Sequence, residues 1–283
     1  MSDFLERHRF ARGAALLLRR YYDHHVARDS AALTYYLLFA LFPLLIFLNN
    51  LVAVWALDLD ALLTEFAGVI PRDVVELLRQ YVAYLSRVSS RALMWFSLVF
   101  TIYFPYRAVN ALFLSVRKAY DAGMPRQFVR YQFRVLLYTI LLIVTIFLSI
   151  AVSSVGGRAL RFLSDYVYLN DAVLALWPRL RFLALGAVLF AMIALLYALA
   201  LDERQFTRGI WPGVLVSLAM WVGLSMGFSL YVEQAARYSL IYGSIGTIIV
   251  LLLWLYLSAT TLIMGAEFNR VLLDTRNAQR SSK

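Results

Sequence analysis

The sequence predicts an all-α membrane protein, a polytopic bundle of about six transmembrane helices with two amphipathic interfacial helices. Three observations predict it. The 283 residues are 62% hydrophobic and only 16% charged, whereas soluble domains run to about half apolar and a quarter charged. Six stretches have the length and apolarity of bilayer-spanning helices, and the last of them holds eighteen consecutive uncharged residues over 248–265. The charges gather between these stretches, with Arg107 as the exception inside one.

Residues 1–30 are basic and broken by charges, so no cleavable signal peptide is expected. Within them Phe10, Ala14, Leu17 and Tyr21 recur on one helical face, with Arg9, Arg12, Arg19 and Arg20 around it. This first amphipathic helix is expected to meet anionic headgroups or to pack on its own bundle. The spans follow at 31–57, 92–116, 135–155, 182–201, 210–232 and 241–265. Between the first two, Pro71 suits a first helical position, and Val74, Leu77, Leu78, Tyr81, Leu85 and Val88 recur at steps of three and four. That is the second amphipathic helix. No linker or repeat divides the chain, so residues 1–283 are read as one membrane domain. It comprises a segment at 1–30, a bundle at 31–265 and a tail at 266–283.

Lysine and arginine number 17 on the side that holds both termini and 9 on the other, with net charges of about +8 and +1. The positive-inside rule therefore places both termini in the cytoplasm, and an even number of spans agrees with termini on one side. Span six then enters at Tyr242 and leaves at Glu267, a residue of the cytoplasmic end able to pair with a nearby arginine. The net charge of +10 is mostly arginine, and it reports topology before it reports nucleic acid.

Polar groups inside the spans are the candidate site. An arginine at membrane depth costs about 2.5–3.5 kcal/mol on insertion scales, so Arg107 is expected to face the bundle interior or to snorkel. With Asn110, Asn49 and Asn50 it would form a polar patch that binds an anionic headgroup; pairing with Glu233 or Glu267 is the structural alternative. Pro43 and Pro105 remove backbone donors within their helices, and with Gly243 and Gly246 they are candidate hinges, static kinks being the rival reading. Gly209 and Gly213, and again Gly223 and Gly227, form GxxxG spacings that favour close helix packing or a homo-oligomer.

Catalytic chemistry has little to stand on. There are no cysteines, and the histidines are His8, His24 and His25. Adjacent His24 and His25 point about 100° apart on a helix, a poor pair for a metal. Asp58, Asp60, Asp202 and Glu203 read as solvated span ends. No GxSxG, Walker, HExxH or Rossmann pattern occurs, so neither an enzyme nor a bound metal or cofactor is expected.

Four segments carry a resemblance. They are Asp29-Ser30-Ala31-Ala32-Leu33-Thr34-Tyr35-Tyr36 through Leu41-Phe42-Pro43-Leu44, and Ala108 to the Arg117-Lys118-Ala119-Tyr120 ending with the basic stretch after it. The third is Trp211-Pro212-Gly213 through Gly227-Phe228-Ser229-Leu230-Tyr231, and the fourth Tyr242-Gly243-Ser244-Ile245-Gly246 through Gly265-Ala266-Glu267-Phe268-Asn269. Together they are similar to the BrkB-like, or YihY-like, bacterial inner-membrane proteins, over about residues 10–273. The resemblance implies an inner-membrane protein with about six spans and cytoplasmic ends. It carries labels of virulence factor and ribonuclease BN, the latter at odds with the missing catalytic set, and a link to envelope lipid transport. Thr34, where alanine is usual, and Tyr103-Phe104-Pro105 depart from the pattern. The expected function is translocation of an anionic lipid or other amphiphile, with membrane lipids as partners and no nucleic acid. A non-transporting scaffold for envelope assembly is the alternative.

Overall fold

The computed structural model describes residues 9–55, 75–76, 79–80, 91–125, 127–164, 171–201 and 209–281, with side chains over 13–47, 75–76, 79–80, 95–125, 127–149, 181–201, 209–231 and 246–275. Six long helices account for most of it: α1 Arg9–Asp23, α2 Val26–Trp55, α3 Arg91–Ala119, α4 Phe128–Ser164, α5 Asp171–Ala200 and α6 Trp211–Ser281. Six segments are long and apolar enough to cross a membrane: Val26–Phe47, Trp95–Ala119, Phe128–Ser149, Arg181–Ala200, Trp211–Tyr231 and Gly246–Thr275. The predicted helical bundle is the observed architecture. Of the second amphipathic helix, Val75, Glu76, Arg79 and Gln80 lie among the described residues and are helical.

The last two spans belong to one continuous helical assignment of 71 residues. A straight helix would separate Gly213 from Asn269 by about 84 Å at 1.5 Å per residue. Instead the Gly213 N–H donates to Asn269 Oδ1 at 3.2 Å, so α6 doubles back on itself as a hairpin. Trp221 and Trp254, with ring centroids 6.1 Å apart, continue the pairing. These partners centre the reversal near residue 240, between the two predicted spans.

Helix ends gather at one pole of the bundle. There α1, the start of α2, the end of α3, the starts of α4 and α6, and the end of α5 meet the returning arm of α6. We call this the basic end, after Arg20, Arg28, Arg117, Lys118, Arg134 and Arg270. The fully buried side chains sit here too: Phe113, Val116, Val135, Leu196, Tyr197, Val214, Ile263 and Ala266 are all at most 2% exposed. Apolar burial gives helices little reason to associate in lipid, so close approach of small residues has to hold them. Ala108, Ala119, Ala200, Ala259 and Ala266 line the contacts. A Cβ on Gly213 would stand 2.7 Å from Asn269 Cβ, and one on Gly265 would stand 1.7 Å from Ser217 Oγ. Gly223 and Gly227 have nothing within 4 Å. Only one GxxxG residue, Gly213, therefore works as a close-packing glycine within the chain.

Between α1 and α2 the chain turns on His24 and His25, and His25 has a φ of 54°. This left-handed conformation ends α1 where glycine would be the usual choice. Its N–H donates to the Tyr22 carbonyl at 3.1 Å, and the Asp29 N–H to the His25 carbonyl at 3.1 Å. That tight corner brings α1 down on the ends of α3 and α6 instead of continuing α2.

Candidate functional site

Glu267 is the centre of the basic end. It is 0% exposed, with Arg20 Nε at 2.6 Å from one carboxylate oxygen and His24 Nδ1 at 2.5 Å from the other. Arg20 also donates to the Ala119 carbonyl at 2.7 Å, and lies 3.6 Å from Asp121 and 4.0 Å from Asp274. Arg270 joins Asp121 and Asp274, each at 3.2 Å. Burial opposes the Arg20 charge, but the hydrogen bond and charge of Glu267, with Asp121 and Asp274, hold its pKa above the ordinary arginine value. So α1 is latched to the bundle by Arg20 and His24. The sequence offered both an interfacial role and packing for this helix, and the structure takes packing, while Arg19 stays 78% exposed beside Asp23.

The Arg117-Lys118-Ala119-Tyr120 ending has a task for each residue. Arg117 is 1% exposed and donates to the carbonyls of Gly123, Ala200 and Ala122, which caps the end of α5 and ties it to the loop after α3 with one guanidinium. Lys118 Nζ reaches Asp29 and the His24 carbonyl, both at 2.6 Å. Ala119 offers its carbonyl to Arg20. The Tyr120 hydroxyl accepts from Asn269 Nδ2, which also donates to the Gly209 carbonyl at 2.8 Å. Burial pushes the Tyr120 phenol up to about 12, against the opposing Asn269 hydrogen bond and the Arg270 charge. Ser30 accepts from Thr260 at 3.0 Å. Residues from all four segments that carry the resemblance thus interlock at one end of the bundle.

The expected interior patch is not assembled among the described side chains. Arg107 is exposed, and its partner is the Tyr36 hydroxyl at 3.0 Å, with the guanidinium 5.3 Å from the centre of the same ring. The reason is helical phase. On α3 the buried set is Pro105, Ala108, Val109, Leu112, Phe113 and Val116, whereas Tyr103, Arg107 and Leu114 share the open side. Arg107 therefore points outward from the bundle, and Glu267 belongs to Arg20 and His24 instead. Asn110 is half-buried on the α4 side, where its carbonyl accepts from Tyr131 at 3.5 Å and its Oδ1 has no hydrogen-bond partner. Asn49, Asn50, Glu233 and Gly243 lie outside the described side chains. Pro43 and Pro105 are buried inside helices that run on through them, and Gly246 is half-buried in α6.

Sequence reading placed Glu267 beside an arginine but missed Arg20 as the partner and His24 as the second. The signal was available as Arg20 and His24 at i and i+4, one helical face, next to a lone carboxylate closing the last span. Among the described residues no group of three acidic, histidine or cysteine side chains is placed to hold a metal.

The family model described as Virulence factor BrkB matches residues 17–283. A protein of Bacillus subtilis named putative ribonuclease-like protein YfkH is 31% identical over 256 residues, covering 90% of this chain and 93% of that one. A UPF0761 membrane protein of Alteromonas mediterranea is 34% identical over 121 residues, 42% of this chain and 39% of its own. One of Alcanivorax borkumensis is 23% identical over 275 residues, covering 94% of this chain and 61% of the relative. The chain thus spans nearly all of the Bacillus protein but under two thirds of those UPF0761 relatives. No solved structure matches.

Proposed function

The chain belongs to the Virulence factor BrkB family of membrane proteins, and on that premise we propose that it translocates an anionic lipid or other anionic amphiphile across or within the bacterial inner membrane, with both termini cytoplasmic. The observation that carries this reading is Arg107. It lies twelve residues before the end of its span at Ala119, about 18 Å along the helix, and it faces outward. Among the described ion pairs none engages it; its partners are the hydroxyl and ring of Tyr36. A cation held at membrane depth by a phenol and a π face retains charge to offer an arriving phosphate. Lipid tails can remain in the bilayer while the headgroup rides the α2–α3 seam, so no closed channel is needed. Pro43 and Pro105, one in each helix of that seam, supply the candidate give.

The ribonuclease-like name belongs to the Bacillus relative; the reading proposed for this chain uses Arg107 and Tyr36 to hold an anionic headgroup and assigns no catalytic step. A test is reconstitution of the full chain in liposomes with headgroup-labelled anionic phospholipid, following loss of the outer-leaflet label. Protein-dependent movement, slowed in Arg107→Ala and Tyr36→Phe, is expected. Equal movement with and without protein would sink translocation, and a wild-type rate in Arg107→Ala would sink the seam.

A further inference from the structure

We infer that a cleft at the basic end, beside Lys118, is a binding site for the phosphate group of an anionic phospholipid, seated head-in with its acyl chains leaving along the α2–α3 seam. The cleft has a volume of about 640 Å³, within the range of small-ligand sites. It lies where the spans Val26–Phe47 and Trp95–Ala119 both end, which is the depth of the headgroup layer.

Its two walls differ in kind. The polar wall holds Arg28, Arg117 and Lys118 against Asp29 and Asp121. Asp29 is shared between Lys118 at 2.6 Å and Arg28 at 3.2 Å. Asp121, also in the wall, is paired with Arg270 at 3.2 Å and Arg20 at 3.6 Å. Arg28, 71% exposed, and Lys118 share Asp29, so this part of the wall carries a net positive charge, while Arg117 is buried against backbone carbonyls. The apolar wall is Ala32, Ala111 and Leu114.

The direction of the apolar wall decides between lipid and free phosphate. Arg107, Ala111, Leu114 and Lys118 follow one another at steps of four, three and four, a single stripe of α3. On α2, Arg28, Ala32 and Tyr36 do the same. The helices run antiparallel here, so the two stripes face along one seam from the cleft to the Arg107–Tyr36 pair. About 16 Å of helix separates Lys118 from Arg107, and the surface between them is apolar. A free anion gains nothing from that surface, whereas an acyl chain does. As a loading point for translocation the cleft rests on the function proposed above; as a binding site it does not.

The test is binding of dioctanoyl phosphatidylglycerol to the detergent-purified full chain by calorimetry, beside dioctanoyl phosphatidylcholine, glycerol 3-phosphate and inorganic phosphate. Saturable binding of the anionic lipid is expected, weakened by about tenfold in Arg28→Glu, a change of about 1.4 kcal/mol. Leu114→Glu, an exposed position, is expected to weaken the lipid likewise while leaving the thermal midpoint unchanged. Unaltered lipid affinity in both variants overturns the site, and inorganic phosphate binding as tightly as the lipid overturns the lipid assignment. Binding that passes these tests without protein-dependent lipid movement in liposomes would leave the cleft standing and defeat the translocation reading alone.

Discussion

Replacing Glu267 by glutamine removes the anion that Arg20 and His24 share within 2.6 Å. Two unit charges about 4 Å apart interact by about 4 kcal/mol at an effective dielectric of 20. Asp121 and Asp274 remain, but they stand 3.6 and 4.0 Å from Arg20 and are each nearly half exposed, so they recover only a part. The Glu267→Gln loss is therefore expected at about 3 kcal/mol, the low end for removing one partner of a buried pair. Arg20→Met should cost a similar amount, since it leaves a fully buried carboxylate with the His24 hydrogen bond as its near contact. The double variant removes both charges together and should fall short of the sum by about 2 kcal/mol. Unfolding by SDS, followed through tryptophan fluorescence in mixed micelles, reads all four corners of the cycle. Additivity within about 0.5 kcal/mol would refute the latch, because it would mean that the two side chains do not share an interaction.

Further outcomes follow from the same geometry. Gly265→Ala and Gly213→Ala should each destabilise the protein by several kcal/mol in the same assay, on the order of an overpacked core, since their Cβ atoms meet Ser217, Asn269 and backbone. Gly223→Ala and Gly227→Ala, with open space around them, should be neutral or stabilising by up to about 1 kcal/mol. His25→Gly should raise stability by about 1 kcal/mol by relieving the left-handed backbone at φ 54°; a fall would show that the imidazole itself is needed. Tyr120 has its phenol raised to about 12 in the folded protein against an ordinary value of about 10. Its contribution is complete below pH about 10 and is lost as pH rises through about 12. Tyr120→Phe should therefore show a shallower loss of unfolding midpoint over that window than the parent.

Much of the architecture could be read from the chain because it depends on sums over single residues. Each span is a transfer free energy accumulated over about twenty residues, and each loop charge contributes to a count. The structure lengthened span six through Glu267 to Thr275 and kept helix through the turn near residue 240, details that such sums do not resolve. The candidate site was harder. Arg107 stands out in the sequence as a charge within a span, but the direction it faces depends on which side of α3 meets α2 and α4. That phase is weak in a helix apolar nearly all round, so the interior expectation failed there.

What the sequence determined by itself, then, is that this is a membrane-spanning helical protein of the BrkB kind, with its arginines gathered toward one side. Hydrophobicity and charge act residue by residue, and no partner need be known to add them up. Tertiary structure alone decided that Arg20 and His24 close on Glu267, that Asn269 meets Tyr120 and Gly213, and that Arg107 looks outward over Tyr36. Each is a pairing between groups 56 to 247 residues apart. Its energy exists only once close packing at Gly213 and Gly265 has brought the helices together.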